Sequence, residues 1–316
     1  MKKLVRTALV LVGALVSAAP SAQAADKLTL ILDWFINPDH APIYVALERG
    51  EFAARDLEVE IVEPADPNDP PKLVAAGQAD VAISYQPQLH MQVDQGLPLT
   101  RIGTLVATPL NSLVVLEDGP VMELQDLVGK KVGFSVGGFE DALLGAMLAS
   151  EGHGLDDVEL INVNFALSTS LLSGQVDAVI GAFRNFELNQ LELEDSAGRA
   201  FYPEEHGVPA YDELIFVANN DSLGDDRLTR FLDAVEAGTT YLINHPEESF
   251  GLFISGRDQL DDALNRRAFA DTLPRFALRP AAMDTARYDR FAAFLAEQGL
   301  VEKTPPVGDY AIELPR

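Results

Sequence analysis

Residues 28–33 (LTLILD) form an apolar run of strand length. A polar-aromatic loop follows, then a helical stretch at 42–49 that stops at Gly50, and a second strand-like run at 57–62. About a hundred residues on, the order recurs. Residues 131–135 (KVGFS) read as a strand, Gly137-Gly138 as a turn, 140–150 as a helix ending near Gly152, and 158–163 (VELINV) as a strand. A third unit repeats most closely: 73–83, with Gly77-Gln78-Ala79-Asp80, is set against 171–180, with Gly174-Gln175-Val176-Asp177. Each reads as a helix end, a Gly-Gln turn and a strand. Strands alternating with helices call for parallel sheets covered on both faces. The repeat therefore predicts an α/β fold of two Rossmann-like lobes built to one plan, with a central cleft.

After the second copy, 213–218 (ELIFVA) reads as one more strand, and the remainder is mostly helical. The stretch 227–244 is amphipathic, with Leu228, Phe231, Leu232, Val235, Thr239 and Leu242 on one stripe and Pro246 beyond its end. Further helices are expected over 247–254, 264–273 and 285–298, and Asp66-Pro67-Asn68-Asp69-Pro70-Pro71 reads as a rigid turn. No Pro/Ser/Gly-rich tether separates the lobes. They are expected to be joined by crossing strands near 111–115 and 212–217, which places lobe 1 at 25–110 plus 217–316, lobe 2 at 111–216, and a hinge between them.

Composition changes the picture in three ways. With 47% hydrophobic residues the 316-residue chain can bury a core. A formal charge of −26 argues against a nucleic-acid binder and against docking on an anionic membrane. The absence of cysteine removes disulfides, thiolate metal sites, a cysteine nucleophile and a lipid-modified N-terminal cysteine. At the N-terminus, Lys2, Lys3 and Arg6 precede a short apolar run over 8–16, and Ala22-Gln23-Ala24 has the small-x-small pattern of a signal-peptidase site. Residues 1–24 are read as a signal peptide cleaved after Ala24, giving a periplasmic protein that is not a lipoprotein. Loss of the three basic residues takes the charge from −26 to −29.

In open α/β sheets ligands bind beyond the carboxyl ends of strands. That rule selects Asp33, Trp34, Phe35, Asn37 and His40 after the first strand and Ser84, Tyr85 and Gln86 after the third. In the second lobe it selects Gly137, Gly138 and Phe139, then Ala182, Phe183, Asn185, Phe186 and Glu187. Aromatic rings with a few polar groups suit a flat, weakly charged ring. Each residue has a packing alternative. Trp34 could pack between the lobes, Tyr85 could close a strand end, and Phe139, Phe183 and Phe186 could belong to the core. His40 could cap the helix near Pro42, and Glu187 could be a first-turn carboxylate favoured by the helix dipole. Asp80 and Asp177 are assigned to structure. Gly133-Phe134-Ser135-Val136-Gly137 fits the nucleophile-elbow pattern, but no supporting triad context accompanies it among His40, His90, His153, His206 and His245. No metal site, phosphate loop or dinucleotide fingerprint is found.

The run from Leu32 through Trp34, Asn37, His40 and Pro42 to Ala46, followed by Gly50-Glu51-Phe52 and Glu63-Pro64-Ala65-Asp66-Pro67, resembles the start of thiamine-pyrimidine-precursor binding proteins of ABC importers. Gly77-Gln78-x-Asp80, Ile83-Ser84-Tyr85 and Leu127-x-Gly129-Lys130-Lys131-Val132-Gly133 fit the same family. The resemblance extends over about residues 27–300. It implies a type II periplasmic binding fold closing on formylaminopyrimidine or hydroxymethylpyrimidine. Trp34 and Tyr85 would stack on the pyrimidine, Asn37 and Glu187 would bond its ring nitrogens or amino group, and Phe139 to Asn185 would close from the other lobe. His40, Ser84, Gly138 and Phe183 complete the candidate set.

The related pyrimidine synthase needs a cofactor lysine and a donor histidine, and alignment puts Ser84 and Gln88 at those positions. Its cysteine-rich segment is absent. A binding protein without catalytic residues, cofactor or metal is therefore expected, acting as a monomer with a small pyrimidine ligand and an inner-membrane ABC permease as partners. The alternatives are a binding protein of the same fold for another small heterocycle, a flavin or a sulfonate, and, behind these, a pyrimidine synthase-type enzyme. An anionic ligand calls for an arginine or a helix N-terminus in the cleft, and Arg184 is the one arginine or lysine among these loops.

Overall fold

The computed structural model describes residues 24–315, so the expected leader lies, apart from Ala24, outside the described residues. Its strands are β1 (Asp26–Ile31), β2 (Leu57–Val62), β3 (Val81–Ser84), β4 (Leu99–Val106), β5 (Asn111–Leu116), β6 (Lys131–Phe134), β7 (Glu159–Asn162), β8 (Ala178–Phe183), β9 (Gly198–Phe201) and β10 (Leu214–Asn219). Its helices are α1 (Ala41–Glu48), α2 (Pro70–Ala75), α3 (Gln86–Asp94), α4 (Phe139–Ser150), α5 (Leu167–Leu172), α6 (Glu187–Leu193), α7 (Asp226–Asn244), α8 (Pro246–Ile254), α9 (Ala263–Thr272) and α10 (Thr285–Glu297).

The strands form two five-stranded sheets, ordered β2-β1-β3-β10-β4 and β7-β6-β8-β5-β9. In each, three parallel strands are followed by two in antiparallel pairing. The repeat seen in the sequence is thus the repeat of the sheets: β1 corresponds to β6, β2 to β7 and β3 to β8. The turn carboxylates Asp80 and Asp177 do the same work in both. Asp80 accepts from the Thr29 amide at 2.8 Å and Asp177 from the Lys131 amide at 2.9 Å, each tying the start of one parallel strand to its neighbour.

Alternation along the central strands feeds a core on each sheet face. Ile83 and Phe216 pack with α1, α7 and α8 residues such as Ile43, Phe231 and Phe253, while Ala82, Ile215 and Val217 face Val74, Leu89 and Tyr288. In the second sheet Leu113 and Ile180 pack on Leu144 and Met147 of α4, and Val114 and Val179 pack on Leu167 and Leu191. Burying each large apolar side chain contributes about 1.5–3 kcal/mol. Gly238 lets α7 approach α1, since a Cβ there would lie 2.4 Å from the Pro42 carbonyl oxygen.

Two connections join the sheets, between β4 and β5 and between β9 and β10. They are fastened to each other: the buried Glu213 carboxylate accepts from the amides of Leu110 at 2.5 Å and Asn111 at 2.9 Å. Arg287 of α10 bonds both Ala107 and Asp212, bracing the same junction from the C-terminal helix. Ser135 of the elbow-like motif is fully buried and donates to the Asn164 carbonyl, so it is a structural hydroxyl.

Candidate functional site

A narrow cleft lies beyond the carboxyl ends of β1, β3, β6 and β8. Asp33, Trp34, Asn37, Asp39 and Tyr85 line it from the first-sheet side, and Glu140, Leu167, Gly181, Phe183, Phe186 and Glu187 from the second. The loop after β1 is held by its own polar groups. The Asn37 side chain accepts from the Asp39 amide at 2.9 Å, and His40 Nδ1 accepts from the Asn37 amide at 3.3 Å, capping the short turn Pro38–His40. The walls are aromatic. Trp34 meets Phe165 edge-on with ring centres 4.7 Å apart, and Tyr85 stacks on Phe139 at 4.8 Å and meets Phe183 edge-on at 6.5 Å.

The polar lining consists mainly of carboxyl groups. Asp33 accepts from the Tyr85 hydroxyl at 2.9 Å through Oδ2, and its Oδ1 lies 2.9 Å from His40 Nε2. Burial, together with the nearby Asp33 charge, holds the Tyr85 phenol well above its ordinary range. Asp39 Oδ1 accepts from Asn185 Nδ2 at 2.6 Å and from the Thr272 hydroxyl at 2.9 Å; burial raises this acid to about 6, against the opposing pull of His40. Glu140 Oε2 accepts from the amides of Ser135 at 2.7 Å and Val136 at 3.1 Å, and Glu187 Oε2 from the Phe183 amide at 2.7 Å. Burial pushes both glutamic acids up to about 8, outweighing those bonds.

No lysine or arginine lines the cleft. Arg184 turns to the junction between the sheets, donating to the carbonyls of Leu110 and Asn111 at 3.2 and 2.9 Å and to Glu204 at 2.6 Å, with its guanidinium over the Tyr202 ring. A protonated acid can donate to a ring nitrogen and an ionised one accepts from an amino group, so this lining suits an amine-bearing heterocycle and opposes an anion.

Of the ten residues expected from the sequence, the cleft brings together Trp34, Asn37, Tyr85, Phe183 and Glu187. The other five stand behind it. His40 is fully buried against Asp33, and Ser84 donates to Gln88 Oε1 at 2.9 Å. Gly138 precedes α4 at a positive φ of 93°, Phe139 backs Tyr85, and Asn185 is engaged with Asp39. Asp39, Glu140, Leu167 and Gly181 were not among the residues read from the sequence. Gly181 carried a signal: a lone glycine in an apolar strand marks a close approach, and a Cβ there would lie 2.4 Å from Glu140 Oε1. Among the described residues no group of three or more His, Cys, Asp or Glu side chains is arranged to hold a metal ion, and no helix is long and apolar enough to cross a membrane.

Two mixed sheets with a cleft between them define a type II periplasmic binding fold. The alkanesulfonate-binding protein of Xanthomonas axonopodis shares it, with a TM-score of 0.72 at 16% identity over 92% of this chain and 99% of that one. The chain belongs to the NMT1/THI5-like family, whose profile matches residues 37–249. It is 54% identical to a putative thiamine biosynthesis protein of Haemophilus influenzae over 92% of this chain and 93% of that protein. It is 31% identical to the formylaminopyrimidine-binding protein of Halalkalibacterium halodurans, over 81% and 78% of the two chains. A 4-amino-5-hydroxymethyl-2-methylpyrimidine phosphate synthase of Legionella pneumophila is 29% identical over 79% of this chain and 80% of that enzyme.

Proposed function

We propose that this chain is the exported substrate-binding component of an ABC importer and takes up a thiamine pyrimidine precursor, formylaminopyrimidine or hydroxymethylpyrimidine. The observation that carries the reading is a narrow aromatic cleft whose polar lining includes four carboxyl groups but neither lysine nor arginine. An aminopyrimidine presents a flat face to Trp34, Tyr85 and Phe183, and an edge of ring nitrogen beside amino group that a carboxyl complements at two points. Glu187 and Asn37 are the residues assigned to that edge. The 31% identical relative named for formylaminopyrimidine binding supports the same ligand class.

In this reading the lobes, 25–110 plus 217–316 and 111–216, close on the ligand about the junction that Glu213 and Arg184 fasten. The closed monomer is then what the inner-membrane permease recognises in the periplasm. Ser84 and Gln88, the positions aligned with the synthase lysine and histidine, are buried and bonded to each other, so no amine stands ready to form a Schiff base with a cofactor. Thermal shift of the purified protein against pyrimidines, thiamine, riboflavin and sulfonates tests the ligand class. A stabilisation confined to pyrimidines is expected; a response to sulfonates alone would overturn it.

A further inference from the structure

The four carboxyls of the cleft are not equivalent. Asp33 uses both oxygens within the protein, and Glu140 and Glu187 are each fastened through Oε2 to backbone amides. Asp39 is 1% exposed, and its Oδ1 is held by Asn185 and Thr272, yet its Oδ2 is buried without any hydrogen-bond partner. Asn185, fixed to Asp39 through Nδ2, also leaves its Oδ1 buried and unpartnered. Buried acceptors in native proteins find donors, and Asp39 borders the cleft. No lysine or arginine supplies one, since the Arg184 guanidinium is committed to the sheet junction, and the neighbouring His40 spends its ring nitrogens on Asp33 and the Asn37 amide.

Of this pair only Asp39 borders the cleft, so its unpartnered Oδ2 calls for a donor on the ligand, and a carboxylate favours a charged one. A hydroxymethyl arm offers a single O–H and a formylamino arm a single N–H, whereas a primary ammonium offers three donors and a positive charge. We infer that Asp39, held in place by Asn185, forms a cation subsite for a primary ammonium on a short arm of the ligand. The cleft then prefers an aminomethyl-bearing pyrimidine to its hydroxymethyl or formylamino counterpart and excludes the phosphate ester. This inference rests on the pyrimidine reading above. Asp39, raised by burial only to about 6, is ionised at neutral pH while Glu140 and Glu187 remain protonated, so the charge that selects the ammonium sits on Asp39.

The test is calorimetric titration at pH 7 of the full protein, and of Asp39→Asn, with 4-amino-5-aminomethyl-2-methylpyrimidine, its 5-hydroxymethyl analogue, its formylamide and the hydroxymethyl phosphate ester. The wild type is expected to bind the amine at least about tenfold tighter than the hydroxymethyl compound, the increment of one hydrogen bond to a charged group. In Asp39→Asn, which keeps an acceptor for Asn185 and Thr272, that ratio falls below about threefold. Far-UV circular dichroism checks that the variant is folded; if it is not, the wild-type ratio decides alone. Equal affinity for the two compounds in the wild type, or a uniform loss of all pyrimidines in the variant, overturns the subsite and leaves the pyrimidine reading standing. If no pyrimidine binds, that reading falls; the subsite falls with it unless benzylamine, which shares only the ammonium arm, binds the wild type and not Asp39→Asn.

Discussion

Asn185 donates from Nδ2 to Asp39 Oδ1 at 2.6 Å, linking the loop after β8 in one sheet to the loop after β1 in the other. Asp39 borders the cleft, so a carboxyl of the cleft wall also ties the two halves together. Thr272 at the end of α9 joins the node, and beside it Asn189 bonds Asp271 while Arg267 pairs with Glu192. This is how ligand contact and closure can share one set of residues: donors that satisfy Asp39 also fix the group that Asn185 grips.

A second tie lies at the other rim. Asn68, in the proline-rich turn before α2, donates to the Ser135 carbonyl at 3.1 Å and accepts from the Gly137 amide at 3.0 Å. Asn68 does not border the cleft. Asn68→Ala is nonetheless expected to weaken ligand binding by about five- to 160-fold, since two bonds are lost and each is worth about 0.5–1.5 kcal/mol to the closed form. Titration calorimetry checks the affinity, and small-angle scattering of the ligand-saturated protein checks compaction. Unchanged affinity would remove this contact from the closing device.

Trp34 is the one tryptophan in the sequence, and its ring meets Phe165 of the other half. Ligand addition is therefore expected to change the emission spectrum. Trp34→Phe should abolish that change and raise Kd several-fold, on the order of the 0.5–1.5 kcal/mol that aromatic pairs contribute. A full affinity in the variant would assign Trp34 to packing alone.

Burial holds Glu187 and Glu140 up to about 8, against an ordinary value of 4.5. Between those limits the folded chain keeps protons that the unfolded chain has released. The contribution of these groups to stability is thus fully present below about pH 4.5, falls as pH rises, and levels off above about 8. Asp39, raised to about 6, acts with the same sign over a lower range. Glu187→Gln removes one titration while keeping an acceptor for the Phe183 amide. Relative to wild type its melting temperature should improve more at pH 8.5 than at pH 5, by differential scanning calorimetry; a pH-independent difference would contradict the buried-acid account.

Gly181 gives a sharper test of how the second half is built. It stands in β8 at a φ of 96°, with the Glu140 carboxyl where a side chain would go. Gly181→Ala is expected to cost at least about 2 kcal/mol from backbone strain and displacement of a buried acid together. Urea denaturation measures it, and a loss below 0.5 kcal/mol, within the range of ordinary surface changes, would contradict this placement.

The repeat was legible because parallel strands read as apolar runs and their Gly-Gln turns recur in the same order. The hydropathy pattern yields no element over residues 86–106, where the structure has α3 and β4. The reason is that polar residues are buried there. Gln86, Gln88, His90 and Gln92 of α3 lie inside, and β4 buries Thr100, Arg101 and Thr104 along with its apolar residues. Arg101 donates through Nη1 and Nη2 to carbonyls of Pro280, Ala281, Ala282 and Ile312, partners about two hundred residues away that no local pattern reveals. The site divides in the same way. Strand-end topology located Trp34, Tyr85, Phe183 and Glu187, whereas the value of Asp39 lies in one oxygen left without a partner, which only three-dimensional packing can expose.

The central claim, an aromatic and carboxyl-lined cleft for an uncharged or cationic pyrimidine, is tested most directly by titrating the purified protein with hydroxymethylpyrimidine, formylaminopyrimidine and a short alkanesulfonate under identical conditions. Saturable one-to-one binding of at least one pyrimidine, with no heat from the sulfonate, is the expected result. Sulfonate binding without any pyrimidine binding would contradict it.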